Sequence, residues 1–165
     1  MRILATLLLA GFAASAGTLY ADEEKVPLNQ VPKAVLKTVK ARFSGAELLG
    51  AEKEVEGGKT VYEIGLKHRG QKIEATLTPE GKLIEIEKQI AAKEMPQAVQ
   101  NALRAKYPNA AYKMIEEVIK VNGGEERLEY YEVLLVTSNN KKLEVSVTPE
   151  GQFKKEEDKS KEKDE

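Results

Sequence analysis

The sequence predicts an α+β fold made of two tandem repeats, and three observations carry that prediction. The tetrapeptide Thr-Pro-Glu-Gly stands at Thr78–Gly81 and again at Thr148–Gly151. Each copy closes a run of alternating apolar and polar residues, the period of a strand with one buried face. Each set of alternating runs follows one apolar stripe at helical spacing.

The first helix begins at Val31-Pro32, because proline suits a first turn where its missing N–H has no partner. Val35, Leu36, Val39 and Phe43 form its stripe, and Ser44-Gly45 stops it. Ala46 to Glu56 is extended, and Gly57-Gly58 turns the chain. In Thr60 to Lys67, Tyr62, Ile64 and Leu66 point inward, with Glu63, Gly65 and Lys67 outward. After a turn at His68-Arg69-Gly70, Ile73, Ala75 and Leu77 point inward and Lys72, Glu74 and Thr76 outward. Thr-Pro-Glu-Gly then makes a hairpin, proline presetting one turn dihedral and glycine accepting a positive φ. Lys82 to Lys88 is the last strand, so the unit is one helix followed by four antiparallel strands.

The second unit repeats the order. Met95-Pro96-Gln97-Ala98-Val99 matches Val31-Pro32-Lys33-Ala34-Val35 at an offset of 64. Lys113 to Val121 matches the first extended segment. Tyr131-Glu132-Val133 matches Tyr62-Glu63-Ile64 at 69, and the run from Leu143 to Gly151 matches that from Ile73 to Gly81 at 70. All six residues of drift fall in turns, where insertions are tolerated best.

The chain of 165 residues opens with Met1-Arg2, an apolar run from Ile3 to Phe12, and Ala14-Ser15-Ala16, the pattern of a cleaved signal peptide. The expected organisation is a signal peptide at 1–16, cleaved after Ala16 with Ala21 as the alternative. A linker at 17–30, one repeat at 31–90, a second at 91–155 and a charged, disordered tail at 156–165 follow. Such a product is periplasmic or secreted. Losing residues 1–16 removes Arg2 alone, leaving 25 basic and 27 acidic residues and a net charge of −2. Without a clustered basic face, nucleic-acid binding is not expected, nor is membrane attachment after cleavage. Absence of cysteine excludes a disulfide scaffold and thiolate zinc sites.

Catalytic chemistry finds no footing. His68 is the single histidine and sits between Lys67 and Arg69 in an expected turn, without a second imidazole to share a metal. Adjacent carboxylates such as Glu116-Glu117 point apart on a strand, which gives no reason for a raised pKa. No calcium loop, phosphate loop or activated serine is present. The reading therefore assigns no catalytic, cofactor-binding or metal residues and no cofactor. The second repeat differs in its outward phase: Tyr130, Leu134 and Val136 stand near the places held by Val61, Gly65 and Lys67 in the first. An apolar outer patch of this kind marks a contact surface, and Tyr112, Tyr130, Leu134 and Val136 are its candidate residues.

The proline-led helix ending in an aromatic, the Tyr-Glu-Ile/Val strand and the closing Thr-Pro-Glu-Gly, in the same order twice, resemble the PepSY-like, β-lactamase-inhibitor-like domains of exported bacterial proteins. The resemblance runs from Val31 to about Lys155. It implies a helix packed on a four-stranded antiparallel sheet in each repeat, the two joined into one continuous curved sheet. It also implies a non-catalytic module that binds, regulates or inhibits another exported protein, such as a peptidase. The rival reading is an envelope domain that senses a small molecule or metal ion.

Overall fold

The computed structural model describes residues 24–161; the expected signal peptide, residues 17–23 of the expected linker and residues 162–165 of the expected tail lie outside them. Nine strands form one antiparallel sheet in simple sequence order: β1 Glu24–Lys25, β2 Glu47–Glu56, β3 Lys59–His68, β4 Gln71–Leu77, β5 Leu83–Gln89, β6 Ala111–Asn122, β7 Glu125–Val136, β8 Lys142–Val147 and β9 Phe153–Asp158. Helix α1, Lys33–Arg42, precedes β2, and α2, Gln97–Lys106, precedes β6. The helices are related by an offset of 64 at both ends (33 to 97, 42 to 106). Each repeat is thus one helix and four strands, with β1 added at one edge.

The inward phase expected from the alternation is the one that packs. Val35 and Val39 of α1, with Phe43 at its C-terminal cap, bury against Ile64, Leu66, Ile73, Ala75, Leu77 and Ile86. Val99 and Leu103 of α2 bury against Tyr131, Val133, Leu135, Leu143, Val145 and Val147. The cores meet at the seam, where β5 pairs with β6 from Glu85↔Lys120 to Gln89↔Glu116. Ile119, on β6 of the second repeat, packs into the first core, and Leu128 touches both. The sheet is therefore continuous, with both helices on one face.

Each helix ends on an aromatic cap, Phe43 ahead of the expected Ser44-Gly45 stop and Tyr107 ahead of Pro108. The Phe43 and Tyr107 amides donate to the carbonyls of Val39 and Leu103. Those rings anchor opposite features: Phe43 meets His68 edge to face at 5.9 Å, and Tyr107 meets Phe153 likewise at 5.9 Å. His68 thus packs beside the first core as part of a ring pair.

Two segments expected to be unstructured join the fold. Glu24–Lys25 pairs with β2, and Val26 and Leu28 lie against the first core, which draws the end of the expected linker onto the sheet. Residues 156–158 of the expected tail complete β9, because main-chain pairing with β8 needs no apolar side chains. Glu156 secures that strand by accepting from Lys106 Nζ at 2.6 Å and Tyr107 Oη at 2.5 Å.

Candidate functional site

The sheet face opposite the helices carries the notable chemistry. One glutamate after another takes its outward phase: Glu52 on β2, Glu63 on β3, Glu74 on β4, Glu87 on β5, Glu116 on β6, Glu132 on β7 and Glu144 on β8. Register brings them together across strands, with Glu52 opposite Glu63, Glu74 opposite Glu87 and Glu116 opposite Glu132. The duplication explains the pattern, since Glu52 and Glu116 differ by 64, Glu63 and Glu132 by 69, and Glu74 and Glu144 by 70.

The stripe is densest at the seam. One carboxylate oxygen from each of Glu74, Glu87 and Glu116 lies within 4.8 Å of the others, and so does one from each of Glu52, Glu54 and Glu63 farther along. Two unit charges this close repel by on the order of 4 kcal/mol near a protein surface. Burial adds to that cost, so the carboxyls release their protons at higher pH than a free glutamate does. Burial first, then Glu132, Glu116, Glu63 and Glu74, pushes Glu87 up to about 9. Burial, then Glu74, Glu132 and Glu144, pushes Glu116 up to about 7, with Lys72 opposing. Burial and Glu144 push Glu132 to about 7, against Lys155, Lys159 and a 3.5 Å hydrogen bond from Ser146 Oγ. Glu74 is raised by burial and Glu52. Glu85 differs: also buried on this face, it forms an ion pair with Lys120.

Sequence reading missed this cluster because it compared neighbours along the chain. Glu116 and Glu117 do point apart, Glu117 taking the phase of core residue Tyr131. The partners of Glu116 come from other strands. The available signal was the recurrence of glutamate at the outward position of strand after strand.

Of the four candidate contact residues, the open face brings together Tyr130, Leu134 and Val136. Tyr130 is half-buried, Lys154 Nζ stands 5.0 Å from its ring centre, and burial with Glu132 and Glu87 pushes its hydroxyl up to about 12. Exposed Met114 pairs with Leu134 and enlarges the apolar flank. Tyr112 goes to the other face: a bulge between Tyr112 and Met114 reverses the phase, and Tyr112 faces Leu135 and packs on the second core. In the first repeat, Gly50 pairs with Gly65 where the second has Met114 and Leu134. That glycine pair floors a cavity of about 630 Å³ lined also by Leu49, Glu52, Glu63 and Glu74.

A duplicated helix-on-sheet unit with one bare, acid-striped face defines a class of protein that presents a sheet surface. Within that class, the chain belongs to the PepSY-like, beta-lactamase-inhibitor-like family, whose model matches residues 12–85 and again 71–155. Solved structures share the fold at low identity. A protein of the DUF2874 family from Bacteroides uniformis aligns with a TM-score of 0.65 at 15% identity, over 80% of this chain and 92% of its own. A protein from Bacteroides eggerthii assigned to the periplasm gives 0.63 at 15% identity, over 79% and 90%. A BLIP-like protein from Bacteroides fragilis gives 0.59 at 17%, over 80% and 89%. No curated protein matches the sequence. Among the described residues no helix is long and apolar enough to cross a membrane.

Proposed function

We propose that this chain is a non-catalytic binding module of the periplasm or of the secreted fraction, whose open sheet face takes a lysine- or arginine-rich segment of another exported protein and thereby restrains it. One observation carries the reading: Glu63, Glu74, Glu87, Glu116, Glu132 and Glu144 share a face that neither helix covers. A cationic segment laid across the strands would meet those carboxylates. Its apolar positions would meet Tyr130, Leu134, Val136 and Met114, a core-and-rim arrangement common in protein interfaces. The export pattern at the N-terminus and the periplasmic assignment of the B. eggerthii relative support the location. The family's inhibitor-like description supports a protein partner over a substrate.

The reading is tested with the mature chain and a short labelled Lys/Arg-rich peptide in a polarisation titration. Binding should weaken steeply with added salt and fall by about tenfold or more in Glu132→Lys. Tyr130→Ala should weaken it without changing the salt slope. An acidic peptide bound as tightly as the basic one, or a Glu132→Lys protein that binds unchanged, would sink the proposal.

A further inference from the structure

We propose that Glu74, Glu87 and Glu116 form a binding site for one hard divalent cation, with calcium the best fit by size, at the seam between the two repeats. The site shares Glu74, Glu87 and Glu116 with the acidic face above, but holding a cation there needs no protein partner.

Three strands converge to build it. Glu74 and Glu87 face each other across β4 and β5, and Glu116 reaches them from β6, each offering an oxygen within 4.8 Å of the other two. Proximity alone would mean little, because acidic surfaces commonly hold no metal. Glu116 changes the case: it is only 6% exposed, and among the described residues no hydrogen bond or ion pair reaches its carboxylate. A glutamate whose residue is this buried ordinarily has a donor or a cation beside its carboxylate. Here it has two more carboxylates, which likewise lack a hydrogen bond or ion pair, while Lys72 acts on Glu74 and Glu116 from beyond bonding distance. The arrangement wants positive charge at its centre.

The donor set selects the kind of ion. All three ligands are carboxylate oxygens, which suits calcium, magnesium or manganese over softer metals. Calcium–oxygen distances of about 2.3–2.6 Å allow ligands of one ion to stand up to about 4.6–5.2 Å apart, so oxygens all within 4.8 Å of one another can share it. Magnesium, bonded at about 2.0–2.1 Å and bound to near-ideal octahedral geometry, tolerates a narrower spread of ligands than calcium does. Fusion of the repeats creates the site. Glu116 is the counterpart of Glu52, but Glu52 has only the short β1 beyond it, whereas Glu116 has β5 and so gains Glu87. The Glu52, Glu54 and Glu63 group has no buried member and serves as an internal control.

Calorimetric titration of CaCl₂ into the mature chain at pH 7.5 should give saturable one-to-one binding tighter than about 1 mM, with a matching rise in Tm. Glu116→Gln and Glu87→Gln should each weaken it about tenfold or more, and Glu54→Gln should leave it within about twofold. The glutamine variants remove repulsion and should fold. Independently of any variant, trace Mn²⁺ should broaden the amide NMR signals of Glu74, Glu87 and Glu116 in the unaltered chain before those of Glu52 and Glu63. Absence of saturable binding, undiminished binding in both seam variants, or loss in Glu54→Gln alone would each overturn the site.

Discussion

Gly81 lies directly against Ala34: a β-carbon on Gly81 would stand 2.6 Å from the Ala34 carbonyl oxygen. Gly151 repeats the relationship with Ala98 at 2.8 Å. Both glycines have positive φ, 83° and 86°. Thr38 Oγ1 donates to the Gly81 carbonyl at 2.8 Å, tying helix to turn. Thr-Pro-Glu-Gly is therefore more than a hairpin, since its glycine is the seat on which each helix rests. Gly81→Ala combines a left-handed backbone strain with a backbone clash, and should cost about 2–4 kcal/mol. Urea unfolding should show a lower midpoint with an unchanged slope. Gly58→Ala, with similar φ but open space around it, should cost only about 1 kcal/mol.

Ile119 belongs by sequence to the second repeat and by packing to the first. Its truncation to alanine should cost about 2–5 kcal/mol. Because β5 and β6 are hydrogen-bonded along the seam and Leu128 touches both cores, that loss should lower one common transition. Thermal unfolding followed by tyrosine absorbance and by far-UV circular dichroism should coincide before and after the change. Two separated transitions in Ile119→Ala would mean that the repeats unfold independently.

Much of the fold was legible because the helical and strand periods are each written twice. Agreement between copies fixed the phase of Tyr62, Ile64 and Leu66 and of Tyr131, Val133 and Leu135. What escaped depends on three-dimensional register. The bulge that turns Tyr112 to the helix side leaves no mark in the alternation of a single strand. The seam is a pairing between the last strand of one repeat and the first of the next, and neither copy alone specifies it. The carboxylate cluster exists only through that pairing, so Glu87 and Glu116, 29 positions apart (116 − 87), could not be joined by reading along the chain.

The first residues of the charged C-terminal stretch belong to the sheet, as part of β9. Truncation after Lys155 removes Glu156, which ties β9 to Lys106 and Tyr107 of the second helix end, and with it the pairing of Glu156, Glu157 and Asp158 to β8. Tm should then fall by several degrees, as expected for about 1–2 kcal/mol in a domain this size. Tyr107→Phe alone should account for only a part of that fall, since Lys106 still reaches the carboxylate.

Stability should be greatest in mildly acidic solution, and the open-face carboxyls set the sign. Glu87 is pushed up to about 9, and Glu116 and Glu132 to about 7, from an ordinary value of 4.5. Between pH 4.5 and 7 the folded protein keeps protons on all three that the unfolded chain has released, and Glu87 extends the difference to about 9. Folding then binds protons, so stability falls as pH rises through that window. Glu63, Glu74 and Glu144 reinforce the trend from neighbouring strands, while Lys72, Lys155 and Lys159 oppose it. Below pH 4.5 these three carboxyls are protonated in both states and contribute no slope. There the surface carboxylates Glu129, Glu156, Glu157 and Asp158, held below their usual range by lysine, tyrosine or serine partners, lose those partners and stability declines. Metal-free protein melted between pH 4 and 9 should therefore show its highest Tm at about pH 5 and a steady fall toward 9. Glu87→Gln, neutral throughout, should flatten the alkaline limb and raise Tm most at the highest pH. A Tm that climbs from pH 5 to 8 in the unaltered protein would contradict the assignment of these carboxyls as uncompensated.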